Sequence, residues 1–501
     1  MNPPSSAHQP ALLTRRGFLG AGSSVAAAMA AGPAMAQSAA QSPDVPPSGL
    51  LSLPRDFFWG AATSSYQIEG AAAIDGRKPS VWDTFSTTPG RVSNGDTGDV
   101  ACDHYHRFED DVKLMADLGI GHYRFSISWS RVIPEGRGAV NPKGLDFYSR
   151  LVDTLLKHHI TPHATLFHWD SPQALEDLYG SWRSREIVSD FADYCTATVK
   201  HLGDRVRHWM TMNEILCFTT LGYGVNTQPP FAPGTVVQTK KDVHQTVHHA
   251  LLAHGMACQA IRAASQVKPH VSAVINCETF VPVMETPEHI AAATRAFLTA
   301  ENNAAILLPI LSGSYTPETL GTDAPDIREG DMAIIGQPLD ALGLNIYTGH
   351  YVRAADTPSG HEVLPLPRNY PNMMLPWLNF VPESIYWTIR SISNTPGGKD
   401  LPLYIAENGC ATDDELTATG EIIDTARVMY LRSYLRNVLR AVTEGYPVKG
   451  YFLWSLMDNF EWTAGYSRRF GLVHVDFKTG KRTPKLSYQW YQQVIRENRI
   501  V

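Results

Sequence analysis

Cysteine is scarce in this 501-residue chain: there are six, with no C-x-x-C pair and no tight cluster. That spacing gives no support for a structural zinc site, a dithiol redox centre or a disulfide framework. Cys102, Cys195, Cys217, Cys258, Cys277 and Cys410 are read as free thiols packing as small hydrophobes. Basic runs are absent too. Lys and Arg never exceed a pair and the net charge is −7, which argues against a nucleic-acid partner. Beyond residue 36 no stretch approaches the roughly 18 apolar residues of a membrane span. His244, His248, His249 and His254 recur at helical spacing but bring no acidic cluster with them, so no metal is expected there. Nothing in the sequence calls for a cofactor, and oligomeric state is not legible in it.

What is present begins with a leader. Thr14-Arg15-Arg16-Gly17-Phe18-Leu19 is a twin-arginine pattern, followed by the Ala-rich run 21–31 and the small residues Ala34-Met35-Ala36. Residues 1–36 are therefore expected to be an export signal across a bacterial inner membrane, with a periplasmic or secreted mature protein. Residues 37–52 hold a Ser-, Pro- and Gln-rich lead-in, and residues 53–501 are expected to form one domain. Apolar residues make up 44 % of the chain, enough for a large core.

Short apolar strands are predicted at Phe57–Ala61, His122–Ile127, Pro162–Phe167, Arg207–Met212, Val271–Asn276, Ala341–Asn345, Leu403–Ala406 and Val448–Trp454. Helical period fills the gaps. Tyr148, Leu151, Val152, Leu155, Leu156 and His159 share one stripe. Farther on, Val428, Leu431, Leu435, Val438 and Leu439 face inward, with Arg427, Arg432, Arg436 and Arg440 assigned to the outer face. Strand–helix alternation implies a parallel sheet. Eight strands suit a closed barrel or a doubly wound sheet. The barrel is favoured because polar groups gather at the C-terminal ends of many strands, where a single (β/α)8 TIM barrel with inserted loops carries its chemistry.

Those strand ends supply Gln67 and Glu69, Arg124 and Ser126, His168-Trp169, Asn213-Glu214, Asn345 and Tyr347, Glu407, and Trp454 with Glu461-Trp462 beyond it. Two of them stand out. Glu214 and Glu407 each close an apolar strand, Glu407 within Tyr404-Ile405-Ala406-Glu407 and just before an Asn408-Gly409 turn. Paired carboxylates at two strand mouths make glycoside hydrolysis the leading chemistry.

With these motifs in order, the chain resembles glycoside hydrolase family 1, the β-glucosidase family, over residues 53–498. Carrying the resemblance are Phe58-Trp59-Gly60-Ala61-Ala62-Thr63, Tyr66-Gln67-Ile68-Glu69-Gly70 and Tyr123-Arg124-Phe125-Ser126-Ile127-Ser128-Trp129. So do Phe167-His168-Trp169-Asp170, Thr211-Met212-Asn213-Glu214, Ile405-Ala406-Glu407-Asn408-Gly409 and Trp454-Ser455-Leu456-Met457-Asp458-Asn459-Phe460-Glu461-Trp462. The resemblance implies a retaining exo-β-glycosidase acting on terminal β-D-glucosyl groups of a small glycoside or oligosaccharide. Glu214 matches the acid/base, Glu407 the nucleophile, and Arg124 and Tyr347 the groups that hold it. Asn213 matches the ligand of the sugar 2-hydroxyl. Gln67, His168, Asn345, Glu461 and Trp462 match sugar ligands, and Trp454 the stacking floor. Galactoside or fucoside preference, transglycosylation, or a silent sugar-binding relative are the alternatives. Glu461-Trp462 with Ala464, and no nearby Lys, disfavour a 6-phosphorylated sugar. The departures are Ile215 where proline is usual, Ser171 for Leu, Ser181 for Gly, and Pro376-Trp377 for Gly-Trp in a divergent loop.

Overall fold

The computed structural model describes residues 52–316 and 321–501. The leader assigned to residues 1–36 and nearly all of the 37–52 lead-in lie outside them. The eight barrel strands are β1 (Phe58–Ala62), β2 (His122–Ser126), β3 (Thr161–Thr165), β4 (His208–Asn213), β5 (His270–Asn276), β6 (Ala341–Asn345), β7 (Leu403–Asn408) and β8 (Val448–Trp454). They pair in parallel and close on themselves, β1 lying between β8 and β2. Each coincides with a predicted strand to within a residue or two. The closed ring settles the choice between barrel and doubly wound sheet.

Parallel strands covered on both faces must be apolar almost throughout. Every residue of β7 is buried, as is all of β4 beyond His208. The floor of the barrel is filled by rings: Phe58 packs on His122, with centroids 4.5 Å apart, and on Phe452 at 5.3 Å. Glycine makes room for them. A Cβ on Gly450 would lie 2.3 Å from the Phe58 ring, and one on Gly60 2.5 Å from that of Phe452. Four histidines from successive strands continue this floor. His122 bonds His163 at 2.9 Å, His163 stacks on His208 at 4.2 Å, and His208 lies 5.0 Å from His270.

The outer layer includes α1 (His104–Leu118), α2 (Pro142–Lys157), α3 (Glu186–Leu202), α4 (Lys240–Ala264), α5 (Glu301–Ser312), α6 (Glu383–Ser393), α7 (Thr425–Thr443) and α8 (Leu486–Glu497). Local chemistry marks their ends. Pro142 opens α2, where its missing N–H costs no helical bond. Thr239 and Asp242 form a reciprocal capping box at the start of α4. Gly445, with φ +90°, follows α7.

Two helix-face assignments need correction. On α2, Leu156 is 39 % exposed and His159 lies past the helix end with φ +60°, so the inward stripe stops at Leu155. On α7, Arg427 is fully buried, not outward-facing. A 3.6-residue period places it on the same face as Tyr430, Leu431 and Tyr434. Its guanidinium is met there by Asp414 at 2.8 Å and by Asp424. Lys485 extends this buried network, bonding Asp414 and Asp458, the latter at 2.6 Å. The network ties the loops after β7 and β8 to the start of α8. The four histidines of α4 do not converge. His248 bonds Asp331, His249 the Trp182 carbonyl and His254 Thr211, and no metal-binding group occurs among the described residues.

Small sheets not foreseen from the sequence sit in the loops. One joins Phe280–Pro282, His350–Ala354 and His361–Val363; another pairs Tyr223–Val225 with Thr235–Val237. No helix among the described residues is long and apolar enough to cross a membrane.

Candidate active site

The two carboxylates owe their positions to local irregularities. The β4–β5 ladder slips between Met210 and Asn213, and the β6–β7 ladder between Ile405 and Glu407. Each bulge re-aims the side chains at its strand mouth. Glu214 also takes a left-handed backbone, φ +45°, which costs about 1–3 kcal/mol for a residue with a side chain. Trp169 and Trp462, at φ +75° and +48°, carry the same kind of strain beside it. Ile215 opens the short helix Ile215–Phe218 as its first residue, and that helix forms without the proline expected there. Gly409 answers a close approach and not a turn. A Cβ there would lie 1.7 Å from the Trp454 carbonyl oxygen, and β7 runs on through Asn408. Asn408 is itself buried, donating to the Ile346 carbonyl at 2.7 Å and accepting from Tyr451 at 2.7 Å.

Glu407 is gripped on both oxygens. Arg124 Nη1 donates to Oε1 at 2.6 Å, and Tyr347 Oη donates to Oε2 at 2.7 Å. Arg124, buried in β2, also donates through Nη2 to Asn213 Oδ1 at 2.6 Å. Tyr347 is placed by its own carbonyl, which accepts from Tyr430 at 2.8 Å and Tyr434 at 2.7 Å. Burial, then the nearby Glu407 charge, push the Tyr347 phenol far above its usual range, so it remains a donor.

Among the described residues Glu214 has no cationic partner. Asn345 Nδ2 donates to its Oε1 at 2.8 Å, and the Cys217 thiol donates to Oε2 at 3.2 Å. Burial first, and the Glu407 charge second, raise its carboxyl from 4.5 to about 7. The two carboxylates thus live in different electrostatic settings, the pattern that separates an acid from a nucleophile.

These groups open on a cavity of about 550 Å³, whose wall includes His168, Glu214, Asn345, Tyr347, Glu407, Trp454, Glu461 and Trp462. His168 Nε2 faces the Asn213 amide N–H at 3.2 Å and so accepts, which leaves the proton on Nδ1, an atom with no partner among the described residues. Burial and the Arg124 charge hold this imidazole neutral. Its ring lies nearly parallel to Trp454, 5.8 Å away, and Trp462 packs 4.4 Å from Trp169. Burial, then the charges of Glu407 and Glu214, lift Glu461 to about 8, and its Oε2 has no partner among the described residues. A carboxyl in that state can both donate to and accept from hydroxyls.

Most of the site residues expected from sequence converge here, with three refinements. Gln67 is fully buried and bonded to protein groups. Its Oε1 accepts from Ser64 and its Nε2 donates to the Phe460 carbonyl at 2.9 Å. Asn345, expected as a sugar ligand, bonds Glu214 and, at 3.0 Å, Asn213. Glu69 faces away from the cavity, pairing with Arg131 at 2.9 Å and accepting from Tyr148 at 2.7 Å. Sequence reasoning passed over Cys217, Leu221, Phe231, Asn276 and Thr348, which also line the wall. Only the Glu214–Cys217 spacing of three, one turn of helix, hinted at any of them.

An α/β barrel with two unlike carboxylates and an aromatic-lined cavity at its C-terminal mouth is the class of a glycoside-cleaving hydrolase. The glycosyl hydrolase family 1 model matches residues 51–500. A 1,4-beta-D-glucan glucohydrolase of Thermotoga neapolitana is 44 % identical over 458 residues, covering 90 % of this chain and 99 % of the relative. A bifunctional beta-D-glucosidase/beta-D-fucosidase of Bifidobacterium breve is 41 % identical over 89 % of this chain and 98 % of its own. The solved β-glucosidase of Thermotoga maritima in complex with deoxynojirimycin superposes with a TM-score of 0.81 at 41 % identity, covering 90 % of this chain and all of the other. The chain belongs to glycosyl hydrolase family 1.

Proposed function

We propose that the protein removes terminal β-D-glucosyl groups by double displacement, with Glu407 as nucleophile and Glu214 as acid and then base. The supporting observation is the unequal setting of the two carboxylates. Glu407, oriented by Arg124 and Tyr347, attacks the anomeric carbon while protonated Glu214 donates to the leaving oxygen. Formation of the ester removes the Glu407 charge, so Glu214 is left as a carboxylate able to deprotonate the incoming water. Asn213, tied to Arg124 and His168, is the ligand assigned to the 2-hydroxyl. The Nδ1–H of His168 and Glu461 serve outer hydroxyls, while Trp454 and Trp462 supply flat apolar faces. Gln67 acts by fixing the Asn459-Phe460 segment that precedes Glu461.

Hydrolysis of phenyl β-glucoside, with the anomers followed by proton NMR, tests this. Early β-glucose, lost in Glu407→Gln, is the expected result, whereas early α-glucose overturns the mechanism. Activity on β-D-fucosides is the second reading, favoured by the similarity to the bifunctional β-D-glucosidase/β-D-fucosidase of Bifidobacterium breve. We also propose twin-arginine export to the periplasm or beyond, supported by Arg15-Arg16 and the Ala-rich run after them. Replacing both with Lys is expected to leave activity in the cytoplasmic fraction. Unchanged export would remove the assignment.

A further inference from the structure

Cys217 sits on the cavity wall one helical turn after Glu214, and none of the roles assigned above uses it. It is buried, its Sγ lies 3.2 Å from Glu214 Oε2, and Asn276 Nδ2 at the end of β5 approaches that sulfur at 3.7 Å. The two oxygens of Glu214 therefore meet unlike donors. Oε1 receives an amide N–H from Asn345, whose Nδ2 also reaches Asn213 Oδ1 and is held in place between them. Oε2 faces a thiol, a weak donor whose hydrogen turns freely about the Cβ–S bond and whose sulfur also accepts weakly. An amide hydrogen cannot swing aside to make room for a carboxyl proton, but a thiol hydrogen can.

We propose that Cys217 is a positioning residue for acid/base catalysis, leaving Glu214 Oε2 as the oxygen that carries the catalytic proton. In the resting acid the thiol hydrogen turns away and Oε2–H points to the cavity. During glycosylation that proton passes to the leaving oxygen as the C1–O bond breaks and its electron pair stays on the oxygen. The Glu407–C1 bond forms in the same step. The thiol then turns in and donates to the new carboxylate, until in the second step Oε2 takes a proton from water as the water oxygen bonds C1 and the Glu407–C1 bond breaks, its electron pair returning to Glu407. Cys217 itself stays a neutral thiol throughout, since burial and the Glu214 charge push it far above its usual range. A stronger donor in its place favours the carboxylate and weakens the acid; no donor does the reverse.

This rests on the acid role proposed for Glu214, and the test separates the two. The alkaline limb of kcat/KM is compared for wild type, Cys217→Ser and Cys217→Ala. The substrates are phenyl β-glucoside, whose leaving group needs a proton, and 2,4-dinitrophenyl β-glucoside, whose leaving group does not. Burst titration with the dinitrophenyl substrate counts active sites, so a misfolded fraction does not enter the comparison. The serine variant is expected to move the phenyl-glucoside limb down by about half a pH unit, and alanine to move it up by a smaller amount. Both should act much more on the phenyl than on the dinitrophenyl substrate. Limbs that coincide in all three proteins, or equal losses on both substrates, overturn the role of Cys217. If Glu214→Gln still hydrolyses phenyl glucoside at the wild-type rate, the acid assignment falls and Cys217 with it.

Discussion

Glu407→Gln tests the coupling between the two carboxylates directly. Lifting the Glu214 carboxyl from 4.5 to about 7 corresponds to roughly 3 kcal/mol of unfavourable setting for its charged form. Burial is the larger cause and the Glu407 charge the next. Two charges about 5.5 Å apart, the spacing a retaining pair requires, interact by roughly 3 kcal/mol at an effective dielectric of about 20. Arg124, bonded to Glu407, offsets part of that. The substitution keeps the shape of the side chain and removes only its charge. Glu214 is therefore expected to titrate about one unit lower, still above 4.5 because burial remains. Carbon-13 NMR of glutamate-labelled protein reads this, with Glu214→Gln in the same background identifying the resonance. A Glu214 titration unmoved within about 0.3 unit would show that burial alone sets its proton affinity, and the charge-switching account of the two steps would fail. The same shift has a consequence for stability. Because the folded value lies above the unfolded one, the contribution of Glu214 is complete below about pH 4.5 and is lost as pH rises through about 7. Glu214→Gln is thus expected to be more stable than wild type at pH 8, by up to about 3 kcal/mol.

Two other perturbations probe the scaffold. Lys485→Met leaves Asp414 and Asp458 facing each other in the buried network without their shared cation; a loss of about 3–5 kcal/mol in denaturant unfolding is expected, and a loss under 1 kcal/mol would refute the assignment. The histidine floor should make the barrel acid-sensitive. Burial lowers His122 to about 4 and, with help from His270 and His122, His208 to about 3, and burial with the neighbouring histidines lowers His163 as well. Their stabilisation is complete above pH 6.5 and is lost as pH falls toward 4, so the melting temperature should fall over that window. It should fall less steeply in His208→Phe, and parallel curves for the two proteins would count against the floor as the origin.

The periodicity of the chain was enough to place all eight barrel strands, because a strand buried on both faces must be apolar whatever surrounds it. Ordered motifs at the strand mouths, through the family they resemble, pointed to Glu214, Glu407, Arg124, Tyr347, His168 and Trp454. Helix faces were less legible. Arg427 lies on the inward stripe of α7, and what makes a buried guanidinium tolerable is the folding back of Asp414 from the preceding loop together with Asp424 at the helix's own N-cap. The roles of the two carboxylates were legible only through the family resemblance, because physically they depend on which partners the barrel brings to each. Arg124 from β2 and Tyr347 from beyond β6 reach Glu407, while an amide and a thiol reach Glu214. Gln67 shows the same limit: its residue type suits a sugar ligand, but the fold spends its amide on Ser64 and Phe460. Sequence by itself laid out eight alternating strands and put a carboxylate at the mouths of two of them, since both follow from local pattern, whereas the closure of the ring came from the structure. Tertiary structure alone decided the proton affinities and hydrogen-bond partners, which come from burial and from charges contributed by strands far apart in the chain.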